Sequence, residues 1–450
     1  MTIRTTPPPV AAAADWRFPR VTESRLDSGL RVLVYDCPGQ FVVSASLLFD
    51  VPLSAEPLRI EGVAGLTGRC LTRGAAGWTA EEFADAVALC GADLDASAFA
   101  DGFAVRLAAP ATRFSPALAL MADAVMRPAF LRDEFDQEKR LRLQEIEQAR
   151  AYPHHVAVEE LNAALYGSAR SGRPVGGAAD TVEQVSLDDV VEYAAAHLHP
   201  GNATLIVAGD FAGLDPRDMI ATSFGGWSDA GSERVTTLPD VVCEEPQLLL
   251  VDWPEAPQST VRIGGAGIPR GDARWPSMFV ANFAVGGNFS SRINTVLREQ
   301  NGVTYGANSS LDTSRGSGVV TVSTAVRSDA TAASVADIAS ILAAAAGTLT
   351  DEEVAMGVRA ATDSAALGYE RAEAVVTRVE MLLSQGLPLD YVDTNLAGLR
   401  AVTTSSANNA YVDVVDPAAL TVIVVGDAAL LRDSLAALGY ADLREVTRTA

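Results

Sequence analysis

The hydrophobic and polar positions of this chain run through one order of periods twice. Apolar residues in alternation or in short unbroken runs mark strands, and apolar residues three and four apart mark helices. The first pass opens on "SRLDSGLRVLVYDC", two strand-like pieces around Asp27, Ser28 and Gly29, and continues into the apolar "FVVSASLLFDV" from Phe41 to Val51. Helical patterns follow in "EGVAGLTGRCLTRG" and "TAEEFADAVALCG", the second opened by Thr79 with Glu82 at capping-box spacing. Strands return at "ADLDASAF" and "GFAVRLAAP". Helical stretches at "SPALALMADAVMRP", "LRDEFDQEKRLRLQEIEQAR" and "HHVAVEELNAALYG" come next, and a last helix ending at His197 leads into the strand "NATLIVAGDF".

The second pass has strands at "QLLLVDW" and "STVRIGGAGI", helices at "WPSMFVANFAVGG" and "SSRINTVLREQNG", and strands at "TYGANSSL" and "SGVVTVSTAV". Further helices then lead to the strand "LTVIVVGDAALL". "PGNATLIVAGDFAGL" and "PAALTVIVVGDAALL" share the proline, the apolar strand and the Gly-Asp exit, and the elements before them also correspond. The pattern predicts an α+β chain of two tandem homologous domains, each a mostly antiparallel sheet packed against helices. Expected boundaries are a disordered tail over 1–20, a first domain over 21–230, a linker over 231–245 and a second domain over 246–450.

Composition changes this picture little. With 450 residues the chain exceeds one ordinary core, and 48% hydrophobic content with 20% charged residues makes everything from about residue 20 a folding sequence. A net charge of -23 without any Lys/Arg cluster excludes nucleic acid as a partner; it serves solubility or attracts a basic peptide. Cys37, Cys70, Cys90 and Cys243 are scattered without CxxC spacing, as expected of reduced thiols in a cytoplasmic protein. No apolar stretch reaches the ~18 residues of a spanning helix, so no membrane partner is expected.

The order of elements resembles the pitrilysin and insulinase superfamily of zinc peptidases, above all its mitochondrial processing peptidase-like branch. "DSGLRVLV", "GVAGLTGRCLTRG", "LRDEFDQEKRLRLQEI", "GRPVGG", "NATLIVAGDF" and "GGNFSSRINTVLREQNGVTYGANSS" carry the likeness. It implies the LuxS/processing-peptidase-like metallohydrolase fold. In active members the segment matching residues 62–74 holds an inverted zinc motif, H-x-x-E-H, followed after a long spacer by a glutamate. Aligned on Gly62 and on Thr72, Arg73 and Gly74, this chain has Gly65 and Arg69 at the histidine positions and Gly68 at the general base. Glu145 falls near the third ligand, and an Arg69–Glu145 ion pair is the expected structural substitute. The chain is therefore expected to bind no catalytic metal. His154 and His155 are adjacent on a helix, and His197 and His199 sit at the end of another; neither pair has i,i+4 geometry, and all four read as surface or capping residues.

The resemblance further implies an arginine and a tyrosine from a motif like R-x-x-x-G-x-x-Y, which "REQNGVTY" supplies as Arg298 and Tyr305. A tyrosine hydroxyl stabilises the oxyanion of a tetrahedral intermediate, and a guanidinium holds substrate carbonyls or a carboxylate. "GGNF", Gly286 to Phe289, matches the family's glycine-containing loop, although a helix end also wants glycine for positive φ. "ADLDASAFADG" offers a sheet edge to which a peptide can add as a strand, or merely a protected edge. The implied function is the substrate-binding subunit of a heterodimeric zinc metallopeptidase, with zinc in a homologous partner bearing H-x-x-E-H and a peptide as substrate. The alternative is a structural or peptide-holding scaffold of the same fold.

Overall fold

A computed structural model describes residues 16–228, 245–440 and 443–446; residues 1–15 of the expected tail, 231–244 of the expected linker, and Cys243 within it, lie outside the described residues. The first six strands are β1 (Val21–Arg25), β2 (Arg31–Asp36), β3 (Val42–Phe49), β4 (Asp93–Phe99), β5 (Gly102–Pro110) and β6 (Ala203–Gly209), in the spatial order β1-β2-β6-β3-β5-β4. The next six are β7 (Leu248–Asp252), β8 (Gln258–Ala266), β9 (Ala307–Ser314), β10 (Ser317–Arg327), β11 (Thr421–Gly426) and β12 (Leu443–Val446), ordered β12-β7-β11-β8-β10-β9. From β2 and β7 outward the two orders are the same. Each half has a parallel pair at the corresponding place, β2 with β6 and β7 with β11, followed by antiparallel neighbours.

The repeated Gly-Asp exit has a physical cause in both halves. A Cβ on Gly209 would lie 2.7 Å from Val43 Cγ2, and one on Gly426 would lie 2.6 Å from Ser259 Oγ, so only glycine lets the neighbouring strand approach. The aspartate that follows ties down backbone amides. Asp210 accepts from the N–H groups of Gly39 (2.7 Å) and Ala212 (2.9 Å), and Asp427 accepts from those of Glu255 (3.0 Å) and Ala429 (3.0 Å).

α1 (Val63–Leu71) and α3 (Phe114–Met126) join their apolar residues to Leu47, Phe103 and Leu205 of the first sheet in a core, while α2 (Ala80–Leu89) buries Phe83 in a smaller cluster with Ala75 and Ala124. Thr79 caps α2 through the predicted box with Glu82. α4 (Arg132–Arg150) and α5 (Pro153–Tyr166) follow. The two halves exchange helices. Ala157, Leu161 and Leu165 of α5 pack on Leu249, Val251, Ile423 and Val425 of the second sheet, while the Ala372–Ser384 helix covers Leu33, Leu48 and Ile206 of the first. At that crossing the buried Glu380 accepts from Arg106 Nε (2.9 Å) and Ser46 Oγ (2.7 Å), and Arg106 Nη2 bonds its other oxygen. A buried carboxylate is tolerated there because both of its oxygens meet donors.

The tail expected over residues 1–20 needs correction at its end. Trp16 stacks on Tyr369, with ring centroids 5.3 Å apart; Phe18 is 6% exposed, and its N–H donates to Asp393 Oδ1 at 3.0 Å. Burial of these aromatic rings outweighs the cost of ordering the segment. Among the described residues no helix is long and apolar enough to cross a membrane.

Candidate functional site

The segment 62–74 folds as α1 because everything around its start is built to receive it. Gly62 takes φ +100° at the N-cap, where a Cβ would lie 2.8 Å from the carbonyl oxygen of Gly176. The orphan amides of the first turn point at a side chain. Glu56 Oε1 accepts from the N–H groups of Gly62 and Ala64, both at 3.0 Å, and its Oε2 accepts from Arg170 Nε (3.1 Å) and Nη2 (2.8 Å). Burial pushes the Glu56 carboxyl up against the pull of Arg170 and these amides. Arg170 also donates to the carbonyls of Arg173, Pro174 and Val175, and Arg173 pairs with Glu61, so the "GRPVGG" loop is clasped to α1.

On the helix itself, the two glycines differ. A Cβ on Gly65 would meet only Gly176 Cα at 3.9 Å, whereas one on Gly68 would lie 2.7 Å from the carbonyl oxygen of Ala96 in the edge strand β4. α1 thus rests on the backbone of β4 where a general base would have to stand. Arg69 reaches Glu145 Oε2 at 2.5 Å through Nη2 and Glu138 Oε2 at 3.3 Å through Nη1, so the expected ion pair forms and a second carboxylate joins it. Arg73 Nε donates to Glu138 Oε1 at 2.8 Å, and Arg142 lies 3.4 Å from Glu145 Oε2 and donates to Gly176 O at 3.1 Å. Burial pushes Glu145 up, but hydrogen bonds and charge from Arg69 and Arg142 outweigh it and hold the carboxyl below its usual range. Arg69, Arg73, Arg142 and Glu138 line this crevice of about 420 Å³, walled by Asp95 to Ala98 of β4.

In the second half, the loop "GGNF" is shaped by close packing and not by left-handed glycines. Gly286 has φ -151°, and its Cβ would lie 2.5 Å from Ser309 Cβ on β9, which corrects the expectation of positive φ. Ser291 caps a single turn, Arg292–Asn294, that continues as a π-helical segment, Thr295–Gln300. Arg292 fixes it to Glu353 at 2.6 and 2.7 Å. Asn294 joins turn, loop and strand by donating to the carbonyls of Asn288 and Ala307 and accepting from the N–H of Ala307 at 2.8 Å. Arg298 stands on the π-helical segment with its guanidinium 3.7 Å from the centroid of Phe289. Its Nη1 lies 3.1 Å from Glu299 Oε1, an ion pair whose angle makes no hydrogen bond. Tyr305 follows in the loop before β9 and is 93% exposed.

Residues 31–179 match the family model described as Insulinase (Peptidase family M16), and residues 184–360 match that of the Peptidase M16 inactive domain. The chain belongs to the M16 peptidase family. Among curated relatives it is 23% identical to an uncharacterized zinc protease of Streptomyces coelicolor, over 85% of this chain and 84% of that one. It is 27% identical to an uncharacterized zinc protease of Mycobacterium tuberculosis over 70% of each. A solved M16 inactive domain from Pseudomonas fluorescens superposes with TM-score 0.82 at 21% identity, covering 91% of this chain and 98% of that one. A chain of Complex III2 from Candida albicans superposes with TM-score 0.76 at 16% identity, covering 94% of this chain and 98% of that one.

Within an M16 fold the zinc position can be tested against the residues present, and they do not fit the ion. Two of the three motif positions are glycines without donor atoms, and the third is a cation whose partners are the carboxylates a metal would need. Among the described residues no group of three His, Cys, Asp or Glu side chains is placed to hold a metal. The histidines also lie apart: His155 pairs with Glu159, His154 with Arg262, and His199, expected as a surface or capping residue, is buried at an N-cap position where its side chain makes no cap hydrogen bond.

Residue-by-residue reading of the motifs finds Gly65, Gly68, Arg69 and Glu145 but not Glu138, whose signal is its position two turns before Glu145 on the same face of α4. The sequence likewise gives no sign that Arg73 pairs with Glu138, that Arg142 bonds Gly176 or that Phe289 is a platform for Arg298.

Proposed function

We propose that this M16 chain is the non-catalytic, substrate-binding subunit of a heterodimeric zinc metallopeptidase that cleaves peptides. A homologous companion with the H-x-x-E-H motif supplies the metal and the water-activating glutamate. This chain supplies Arg298 and Tyr305. The observation that carries the proposal is the contrast between its two halves: an arginine neutralises the acidic residues of the lost metal site, while Tyr305 is left to solvent on a loop whose neighbours are fixed. Gly306 N–H donates to Thr304 Oγ1 at 3.0 Å, and Thr304 pairs with Thr324 of β10 at 3.0 Å. A side chain so exposed on so restrained a backbone gains nothing for the fold by being a tyrosine.

In the proposed complex the Tyr305 hydroxyl donates to the scissile carbonyl oxygen as negative charge gathers there. Arg298, held flat by Phe289, presents its remaining N–H groups to a substrate carbonyl or carboxylate. The test is steady-state hydrolysis by the reconstituted pair. Tyr305→Phe is expected to lower kcat by about 10²–10³-fold with the complex intact by size-exclusion chromatography, the cost of losing one oxyanion donor. Unchanged kcat in Tyr305→Phe and in Arg298→Ala contradicts the role. Absence of hydrolysis with any motif-bearing companion favours the scaffold.

A further inference from the structure

We infer that Arg262 anchors a binding site for the C-terminal carboxylate of a peptide, in the cavity where the two halves of the chain meet. The cavity holds about 540 Å³, within the range of small-ligand sites, and its walls come from α5, the clasped loop and the second sheet. Leu53, Val158, Leu161, Leu165 and Val319 give it an apolar side. Its charged residues are already matched, with one exception. Arg170 is held by Glu56, Arg173 by Glu61 and Arg315 by Asp50, and His155 faces Glu159. The acids have donors as well: Asp312 accepts from Thr321 Oγ1 at 2.9 Å and Ser310 Oγ at 3.3 Å, and Asp101 accepts from the N–H of Arg315 at 3.0 Å.

Among the described residues Arg262 on β8 has no carboxylate within ion-pair distance, although Asp312 of the same cavity attracts it from further away; its hydrogen-bond partner is His154 Nε2, at 3.2 Å. Burial and the charge of Arg262 lower the pKa of His154, which favours the neutral imidazole, the form whose ring nitrogen accepts from the guanidinium. Burial of the guanidinium outweighs the attraction of Asp312 and lowers the pKa of Arg262, and a carboxylate in direct contact relieves that cost.

Continuity of the walls makes the occupant a peptide and not a compact anion. His154, the partner of Arg262, also lines a second cavity of about 610 Å³ with Asn288, Phe289 and Gly306, beside the residues that frame Arg298 and Tyr305. In the other direction Gly176 belongs both to the Arg262 cavity and to the crevice of Arg69. An extended chain passing the proposed catalytic pair therefore meets a cation on its way, and the apolar wall receives its last side chains. This inference rests on the peptide-handling role proposed above.

The experiment is isothermal titration of the purified chain, without companion, with N-acetyl-trialanine, with its C-terminal amide and with inorganic phosphate. The free acid is expected to bind about tenfold or more tightly than the amide, and Arg262→Met to abolish the difference. Val158→Trp, which fills the cavity and leaves the charges in place, is expected to abolish binding of the acid and keeps the test decisive should Arg262→Met fail to fold. Equal binding of acid and amide, no binding of the acid at millimolar concentration, or wild-type affinity in both variants overturns the inference. Phosphate binding as tightly as the acid through Arg262 overturns its peptide part. Because no hydrolysis is measured, failure here is separate from failure of the reconstituted enzyme.

Discussion

At the scale of the residue, Gly65 and Gly68 look alike in the sequence and differ in what surrounds them. An interior helical glycine replaced by alanine ordinarily gains up to about 1 kcal/mol. Gly65→Ala is expected to gain ~0.5–1 kcal/mol, since its new methyl group meets nothing closer than 3.9 Å. Gly68→Ala is expected to lose ~1–3 kcal/mol, because the methyl group is driven to 2.7 Å from a backbone oxygen of β4 that cannot yield. Urea unfolding of both variants checks the opposite signs. Glu353 allows a prediction with pH. The hydrogen bond from Arg292 and those at the cap of the Asp351–Asp363 helix lower its carboxyl to about 2, against burial. A depressed folded pKa stabilises above the ordinary carboxylate range and is lost as pH falls from about 4.5 toward 2. Glu353→Gln is expected to lose about 2–3 kcal/mol at pH 7, with the wild-type and variant stabilities converging toward pH 2. A difference independent of pH contradicts this account of the pair that anchors the segment carrying Arg298.

At the scale of the element, the start of α1 is held by charge. Glu56 and Arg170 have side chains 0% and 7% exposed, so neither is served by water. Arg170→Met is expected to cost ~3–5 kcal/mol at pH 7 by leaving a buried carboxylate uncompensated. The loss shrinks on acidification, since burial already raises the Glu56 pKa and a protonated Glu56 needs no cation. Chemical unfolding at pH 7 and pH 5 reads both effects. Much at this scale was legible beforehand: the strands around Ser28, the Thr79 cap and the helix bearing Glu145 follow from period and capping chemistry. What was not legible depends on distant partners. No local pattern announces that Thr295–Gln300 winds as a π-helix, or that Glu138 turns toward Arg69 and Arg73.

At the scale of the whole molecule, the duplication was plain in the repeated strand and its Gly-Asp exit, but the exchange of helices was not. An amphipathic pattern shows that α5 and the Ala372–Ser384 helix each bury a face, and is silent on which sheet receives it. The same holds for Trp16 and Phe18, aromatic residues at the end of an alanine- and proline-rich stretch whose docking site lies in the other half. Through these crossings the halves share one hydrophobic cluster, in which Leu33 and Ile206 meet Val379 and Leu382. One frame thus carries both the crevice of Arg69 in the first half and the loop that exposes Tyr305 in the second.

The division of labour between two chains is tested most directly by measuring initial rates of peptide hydrolysis, with zinc content, for this chain alone, for an H-x-x-E-H companion alone and for their equimolar mixture. The account predicts substantial hydrolysis in the mixture only, with the zinc following the companion. Hydrolysis by this chain alone, accompanied by stoichiometric zinc, contradicts it.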